Sequence, residues 1–149
     1  MSVIELKGLR FPKDYFYEPS HAWLRVEEDG SVTIGIDDFG QKAAGEIVFI
    51  DLPDVGTRVK QFEPFARIES IKWVGEIISP ISGRILQVNE KLLRDPGLIN
   101  ADPYGKGWMI RVRPDDLERE LRSLIHGDGS ITKWAKRDIE ATLELSLPP

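Results

Sequence analysis

Trp23-Leu24-Arg25-Val26-Glu27, Glu28-Asp29-Gly30 and Ser31-Val32-Thr33-Ile34-Gly35-Ile36 read in succession as an alternating strand, a turn and a second strand. A period of two places one side of each run on a core, and Asp-Gly supplies the reversal between them. The same grammar continues through Glu46 to Asp51, Val59 to Ile68, Glu76-Ile77-Ile78, Gly83 to Val88 and Gly107 to Val112, with Pro53, Gly56 and Pro64 as punctuation. Short strands at this spacing predict a β-sandwich or small barrel rather than alternating βαβ units. One short helix interrupts them: Asp37 or Asp38 can cap a segment through Phe39 and Gln41 to Ala44, with Gly45 as its stop.

The last third changes period. Asp115 or Asp116 can cap a helix carrying Leu117, Leu121, Leu124 and Ile125 on one face and ending at Gly127. After Asp128-Gly129-Ser130, a second helical face runs Ile131, Ala135, Ile139, Leu143 and stops near Pro148 and Pro149. A weaker pattern is internal: Gly45-Glu46-Ile47-Val48 before Leu52-Pro53-Asp54-Val55-Gly56 echoes Gly75-Glu76-Ile77-Ile78 before Ser79-Pro80-Ile81-Ser82-Gly83. Two related half-sheets would put their junction near Lys72.

Length and composition fit one domain, or one domain with a small appendage: 149 residues, 41% hydrophobic, 30% charged. No apolar run approaches the roughly 20 residues that cross a bilayer. The start Met1-Ser2-Val3-Ile4-Glu5-Leu6-Lys7-Gly8 lacks the features of a leader, and zero cysteines leave neither disulfides nor a thiol nucleophile. A soluble, cytoplasmic, monomeric protein is expected. The net charge of −5 and the lack of a basic stripe in the sequence argue against a nucleic-acid partner. Acidic charge can steer docking onto basic patches of other proteins, or simply maintain solubility.

Searches for catalytic apparatus return little. His21 and His126 have no carboxylate or thiol at metal-ligand spacing, which argues against a metal site. The phosphate-loop, dinucleotide and nucleophile-elbow signatures are absent. Glu27/Glu28 and Asp37/Asp38 fall in a turn and at a helix start, where solvation or capping explains them. What remains is Lys72, the one lysine in the apolar, β-prone run Ile68-Glu69-Ser70-Ile71-Lys72-Trp73-Val74-Gly75. An ε-amine on a flexible stem is an attachment point that acylation turns into a neutral amide. From the local residues alone it reads more readily as a solvent-facing lysine that blunts a strand edge.

Ser20-His21-Ala22-Trp23-Leu24-Arg25-Val26-Glu27, Val32 to Ile36, Gly45 to Pro53, Glu69-Ser70-Ile71-Lys72, Ser79 to Gly83 and Asn100 to Trp108 together resemble the glycine cleavage system H protein family, in order, over about residues 15 to 113. The resemblance implies a mainly β, lipoyl-domain (barrel-sandwich hybrid) fold with one short inserted helix and C-terminal helices. It divides the chain into a lead-in at 1–14, a lipoyl-bearing β-sandwich at 15–113 and a helical extension at 114–149. Lys72, in the family's Glu-Ser-x-Lys motif, would carry lipoate as an amide on a hairpin. Ile71-Lys72 lacks the Asn-Gly chemistry of a favoured two-residue turn, so the hairpin rests on the resemblance. The cofactor would supply the chemistry and the protein its presentation, so the chain is expected to be a carrier and not an enzyme.

The arm's surroundings would be Glu69, Ser70, Trp73, Ser20, Ala22 and Glu76. Three depart from the family pattern: Ala22 stands where His-Glu-Trp has Glu, Glu76 where the family has Asp, and Trp73 follows the lysine in place of a small residue. Trp73 could pack under the arm or merely cover hairpin surface. An alkylammonium cargo needs acidic partners to offset its desolvation, so the missing carboxylate favours another cargo. The sequence thus points to an H-protein-like carrier of sulfur-compound oxidation working with a heterodisulfide-reductase-like complex. The alternatives are a glycine cleavage carrier of the aminomethyl group and an unmodified β-sandwich interaction module. A lipoate ligase or lipoyl transferase, and dihydrolipoamide dehydrogenase, would be further partners.

Overall fold

The computed structural model describes the backbone of residues 2–146 and side chains through Thr142. The side chain of Leu143, and Pro148 and Pro149, lie outside the described residues. The chain opens with a hairpin of β1 (Val3–Leu6) and β2 (Leu9–Pro12). Lys7 and Gly8 join the strands with φ of 53° and 83°, the left-handed values that a tight two-residue reversal demands. Strands β3 (Phe16–Glu18), β4 (Ala22–Val26) and β5 (Val32–Ile36) follow, then helix α1 (Asp38–Ala44) and strand β6 (Ile47–Asp51). Next come β7 (Arg58–Val59), β8 (Pro64–Ser70), β9 (Val74–Ile78), β10 (Gly83–Val88), short helices α2 (Lys91–Arg94) and α3 (Leu98–Ala101), β11 (Ile110–Pro114), α4 (Leu117–Leu121) and α5 (Asp128–Ser146).

Two sheets share the main core. One is six-stranded, ordered β3-β4-β5-β11-β10-β7, and the other three-stranded, ordered β6-β8-β9. Leu24, Ile34, Ile85 and Val112 from the first meet Ile47, Ile50, Ile68 and Ile77 from the second. Each such side chain withdrawn from water contributes about 1.5–3 kcal/mol. A second cluster forms on the outer face of the six-stranded sheet, where Trp23 and Tyr17 meet Phe11 of the hairpin and Ile131, Trp134, Ala135 and Ile139 of α5. The expected face of the last helix is therefore buried as far as Ile139. No helix among the described residues is long and apolar enough to cross a membrane.

Several elements depart from expectation for local reasons. The run Val59 to Ile68 is two strands, because Phe62 takes a φ of 68° and Pro64 has no N–H to continue a ladder. The helix expected from Leu117 to Gly127 ends at Leu121. Ile125 is instead bridged to Tyr17 by reciprocal backbone bonds of 2.8 and 2.9 Å, which satisfy groups on β3 that would otherwise be an open sheet edge. The helical turns α2 and α3 and the N-terminal hairpin were not anticipated. The echoed segments at 45 and 75 are β6 and β9, which flank β8 within one sheet instead of forming two half-sheets.

The sequence has no basic stripe, yet the register assembles one. Arg84 lies directly opposite Arg58 on one side and Arg113 on the other, so three guanidinium side chains cross β7, β10 and β11 in a row. Arg111, two positions from Arg113, shares their face of the sheet. The intervening Val59, Ile85 and Val112 point into the core.

Candidate functional site

Strands β8 and β9 are joined by Ile71 and Lys72, flanked by Ser70 and Trp73, whose backbones are closed by Ser70 N–H donating to Trp73 O at 2.7 Å. Neither Ile71 nor Lys72 has a positive φ, so this turn does not use the geometry that Asn-Gly provides. Ser70 substitutes for it. Its Oγ accepts the Lys72 N–H at 3.2 Å and donates to Trp73 O at 3.3 Å, a side-chain clasp over the reversal. Ile71 N–H donates to Glu46 O at 3.1 Å and ties the tip to the start of β6.

Lys72 is exposed, and its ammonium makes no ion pair among the described residues. Its stem crosses Gly45, where an added Cβ would lie 2.9 Å from Lys72 Cε. Gly45 has two roles: its φ of 83° ends α1, with its N–H on Gln41 O, and its missing side chain leaves the lysine a path. The start of α1 is equally specified, since Asp37 caps it by accepting the Gly40 N–H at 2.8 Å.

Beside the hairpin a cleft of about 140 Å³ opens between the two sheets. Ser20, His21, Ala22, Trp73 and Glu76 line it, with Ile68 and Ile77 among its apolar walls. Four of the residues expected around the arm are thus brought together. Trp73 folds back so that its indole lies on Gly75, where any side chain would collide with it. Ser70 belongs to the turn, and Glu69 stands apart on the outward row of β8, 3.3 Å from Arg67. A larger groove of about 850 Å³, beside Leu86, Lys106 and Trp108, includes none of the residues expected around the arm.

Two buried acids behind the cleft were not foreseen as parts of it. Glu18, directly opposite Ala22 in the β3–β4 register, accepts Ser20 N–H at 2.9 Å and the Ser20 hydroxyl at 2.8 Å. Burial pushes the Glu18 carboxyl upward, opposed by those hydrogen bonds. The Ser20 hydroxyl proton is committed to Glu18, which leaves the Ser20 oxygen as an acceptor. Asp37, fully buried, accepts from His21 Nδ1 at 2.7 Å, while Asp138 of α5 accepts from His21 Nε2 at 2.8 Å. The ring is sandwiched between Phe39 and Trp134, with centroids 4.3 and 4.4 Å away. Asp37 was legible as a cap, but Asp138 lies 117 positions from His21, beyond any spacing rule.

With Asp37 and Asp138 ionised, both ring nitrogens donate and the imidazole is held protonated; burial pushes the Asp37 carboxyl upward, opposed by its bonds to His21 and Gly40. Burial alone would lower the His21 pKa, but bonding and attraction to Asp37 and Asp138 outweigh it, and the net direction is upward. The raised folded value means that this group's contribution to stability is fully present below about pH 6.5, its unfolded value. That contribution is lost as pH rises through the folded value. The thermal midpoint is expected to fall across that window, and Asp138→Asn to flatten the fall; an unchanged profile in the variant would show that the pair does not hold α5.

The glycine cleavage H-protein family model matches residues 15–137. The chain is 42% identical over 132 residues to glycine cleavage system H protein 2 of Aquifex aeolicus (strain VF5), covering 88% of this chain and 82% of that one. It is 50% identical over 106 residues to the glycine cleavage system H protein of Geobacillus thermodenitrificans (strain NG80-2), covering 71% and 83%. Among solved structures, a glycine cleavage system H protein from Mycobacterium marinum superposes with a TM-score of 0.67 at 38% identity, over 70% of this chain and 87% of that one.

Proposed function

The chain belongs to the glycine cleavage H-protein family, and from that membership we propose that it is a lipoyl carrier whose Lys72 holds lipoate in amide linkage and presents it to the enzymes of glycine cleavage. The observation that carries this reading is a lysine without an ion-pair partner among the described residues, at a hairpin tip beside a cleft lined by Ser20, Ala22, Trp73 and Glu76. The residues suit the group. Lys72 is exposed for acylation, and the indole of Trp73 with Ile68 and Ile77 offers an apolar wall to a hydrocarbon arm. Bound lipoate would supply dithiol redox and group-transfer chemistry. The protein's part is to stiffen the turn through Ser70, guide the stem across Gly45 and offer the Ser20 oxygen and the Glu76 carboxylate at the cleft.

The sulfur-oxidation pathway expected from the altered sequence around the arm loses its support. The similar proteins carry glycine cleavage names, and the missing carboxylate at Ala22 has a local counterpart. Glu18 sits directly across the strand from Ala22 and is itself buried, so a second carboxylate there would face a like charge in a desolvated setting. Acidity at the cleft itself is kept by Glu76, with Glu18 one strand away behind the wall. An aminomethyl cargo therefore fits this chain. A lipoate ligase or lipoyl transferase would load the arm, and dihydrolipoamide dehydrogenase would reoxidise it.

The test is glycine-dependent modification. The lipoylated protein, incubated with glycine and a glycine decarboxylase, is expected to gain the aminomethyl mass by intact-mass spectrometry. No glycine-dependent gain, with turnover by a sulfur-oxidising heterodisulfide-reductase-like complex instead, would reverse the assignment of pathway. Failure of any ligase to acylate the chain would leave the unmodified interaction module.

A further inference from the structure

The outer face of the six-stranded sheet is divided. At the β3–β4 end it is covered by the N-terminal hairpin and α5 through Trp23 and Tyr17, whereas at the β11-β10-β7 end no described element covers the row Arg58, Arg84, Arg113 with Arg111 beside it. Like charges directly opposite one another on a sheet are destabilising, so such a row in a chain of net charge −5 costs stability unless something complements it. Internal complement is partial. Arg58 pairs with Asp115, and Arg113 reaches Asp29 at 3.9 Å. Arg111 donates to Ser31 Oγ at 3.0 Å, but its buried Nε has no hydrogen-bond partner among the described residues. Arg84, at the centre, is exposed, and its guanidinium makes no ion pair or hydrogen bond among the described residues.

We propose that this arginine-lined face docks an acidic, carboxylate-rich segment of a partner protein. Guanidinium groups bind carboxylates through paired N–H donors. Neighbouring strands lie about 4.8 Å apart, so the row spans roughly 10 Å and matches two or three carboxylates on an extended peptide. A long phosphate backbone fits less well, because it would run past Asp29, Asp115 and Asp116 at the margins of the row and meet the chain's overall negative charge. The face belongs to the sheet that does not bear Lys72, so a partner held there leaves the hairpin free. The inference stands independently of what Lys72 carries.

Binding of a fluorescein-labelled peptide of alternating glutamate and glycine to the full chain, followed by anisotropy, tests it. Saturable binding is expected at low ionic strength, weakening as salt is added. The pair Arg84→Glu with Arg113→Glu should weaken it about tenfold. The reversed pair gains attraction to Arg58 but sets two acidic groups opposite one another and one near Asp29, so its binding is compared only after circular dichroism shows the parent's fold. Arg84→Ser removes one exposed charge without touching the core and should weaken binding in the same direction, while Arg84→Lys should largely retain it. No saturable binding to the parent, binding indifferent to both Arg84→Ser and the reversed pair, or tighter binding of a single-stranded oligonucleotide through the same arginines would overturn the proposal.

Discussion

Lys72→Arg is expected to abolish lipoyl addition completely while leaving the fold intact. Arginine keeps the charge and nearly the reach of lysine, but its guanidinium stays protonated and offers no amine nucleophile to an activated acyl group. The turn does not depend on the lysine side chain, because Ser70 Oγ accepts the backbone N–H of residue 72 and Ile71 is tied to Glu46. Substitution at this exposed position should move stability by no more than about 0.5 kcal/mol. Intact-mass analysis after incubation with lipoate, ATP and a lipoate ligase reads the result directly. Acylation of the parent but not the variant supports Lys72 as the attachment point; addition that survives in Lys72→Arg would place the cofactor elsewhere.

Trp23→Ala should have the largest effect on stability, a loss of about 3–5 kcal/mol measured by chemical denaturation. The indole is fully buried, and its N–H donates to Pro103 O at 3.0 Å. It lies against Gly35, where an added Cβ would come within 2.7 Å of its ring atoms, and contacts Tyr15 and Tyr104 at centroid separations of 5.3 and 6.0 Å. The Arg25 guanidinium sits 5.5 Å from the ring centroid. No small side chain can refill that space, because Gly35 has none to extend and the surrounding aromatics are held by their own contacts. Trp23 also belongs to the cluster that fixes the hairpin β1–β2 and α5 on the sheet, so its loss should loosen Asp138 from His21. A cost below about 1 kcal/mol would mean that this second cluster is peripheral to folding.

Where the sequence was informative, a local physical rule was operating. The mainly β architecture followed from period-two runs and their turn residues. Asp37 and Gly45 could be read as the ends of α1 because a cap and a left-handed stop act within a few residues of themselves. The lipoyl-domain barrel-sandwich fold came from ordered blocks of resemblance and agrees with the family match over residues 15–137. The errors cluster where a distant partner decides. Ile125 left its helical pattern because Tyr17 needed a strand neighbour, and the lead-in became a hairpin because Trp134 and Trp23 gave Phe11 and Leu9 an apolar place to go. The sulfur-oxidation reading drawn from Ala22 finds no support among the similar proteins, which carry glycine cleavage names, and Glu18 stands opposite Ala22 only after β3 and β4 pair.

By itself, then, the sequence determined most strands from β4 onward, the caps of α1 and the singularity of Lys72, since side-chain period, backbone freedom and functional-group chemistry are properties of residues and their near neighbours. The tertiary structure alone decided the rest. It set His21 between Asp37 and Asp138, placed Glu18 behind Ser20, gathered Trp73, Ala22 and Glu76 around one cleft and aligned Arg58, Arg84 and Arg113. Strand register, with the packing of α5 on the sheet, does this. It brings residues far apart in the chain to within about 5 Å, a distance at which charges and hydrogen-bonding groups act strongly on one another and which linear spacing does not encode.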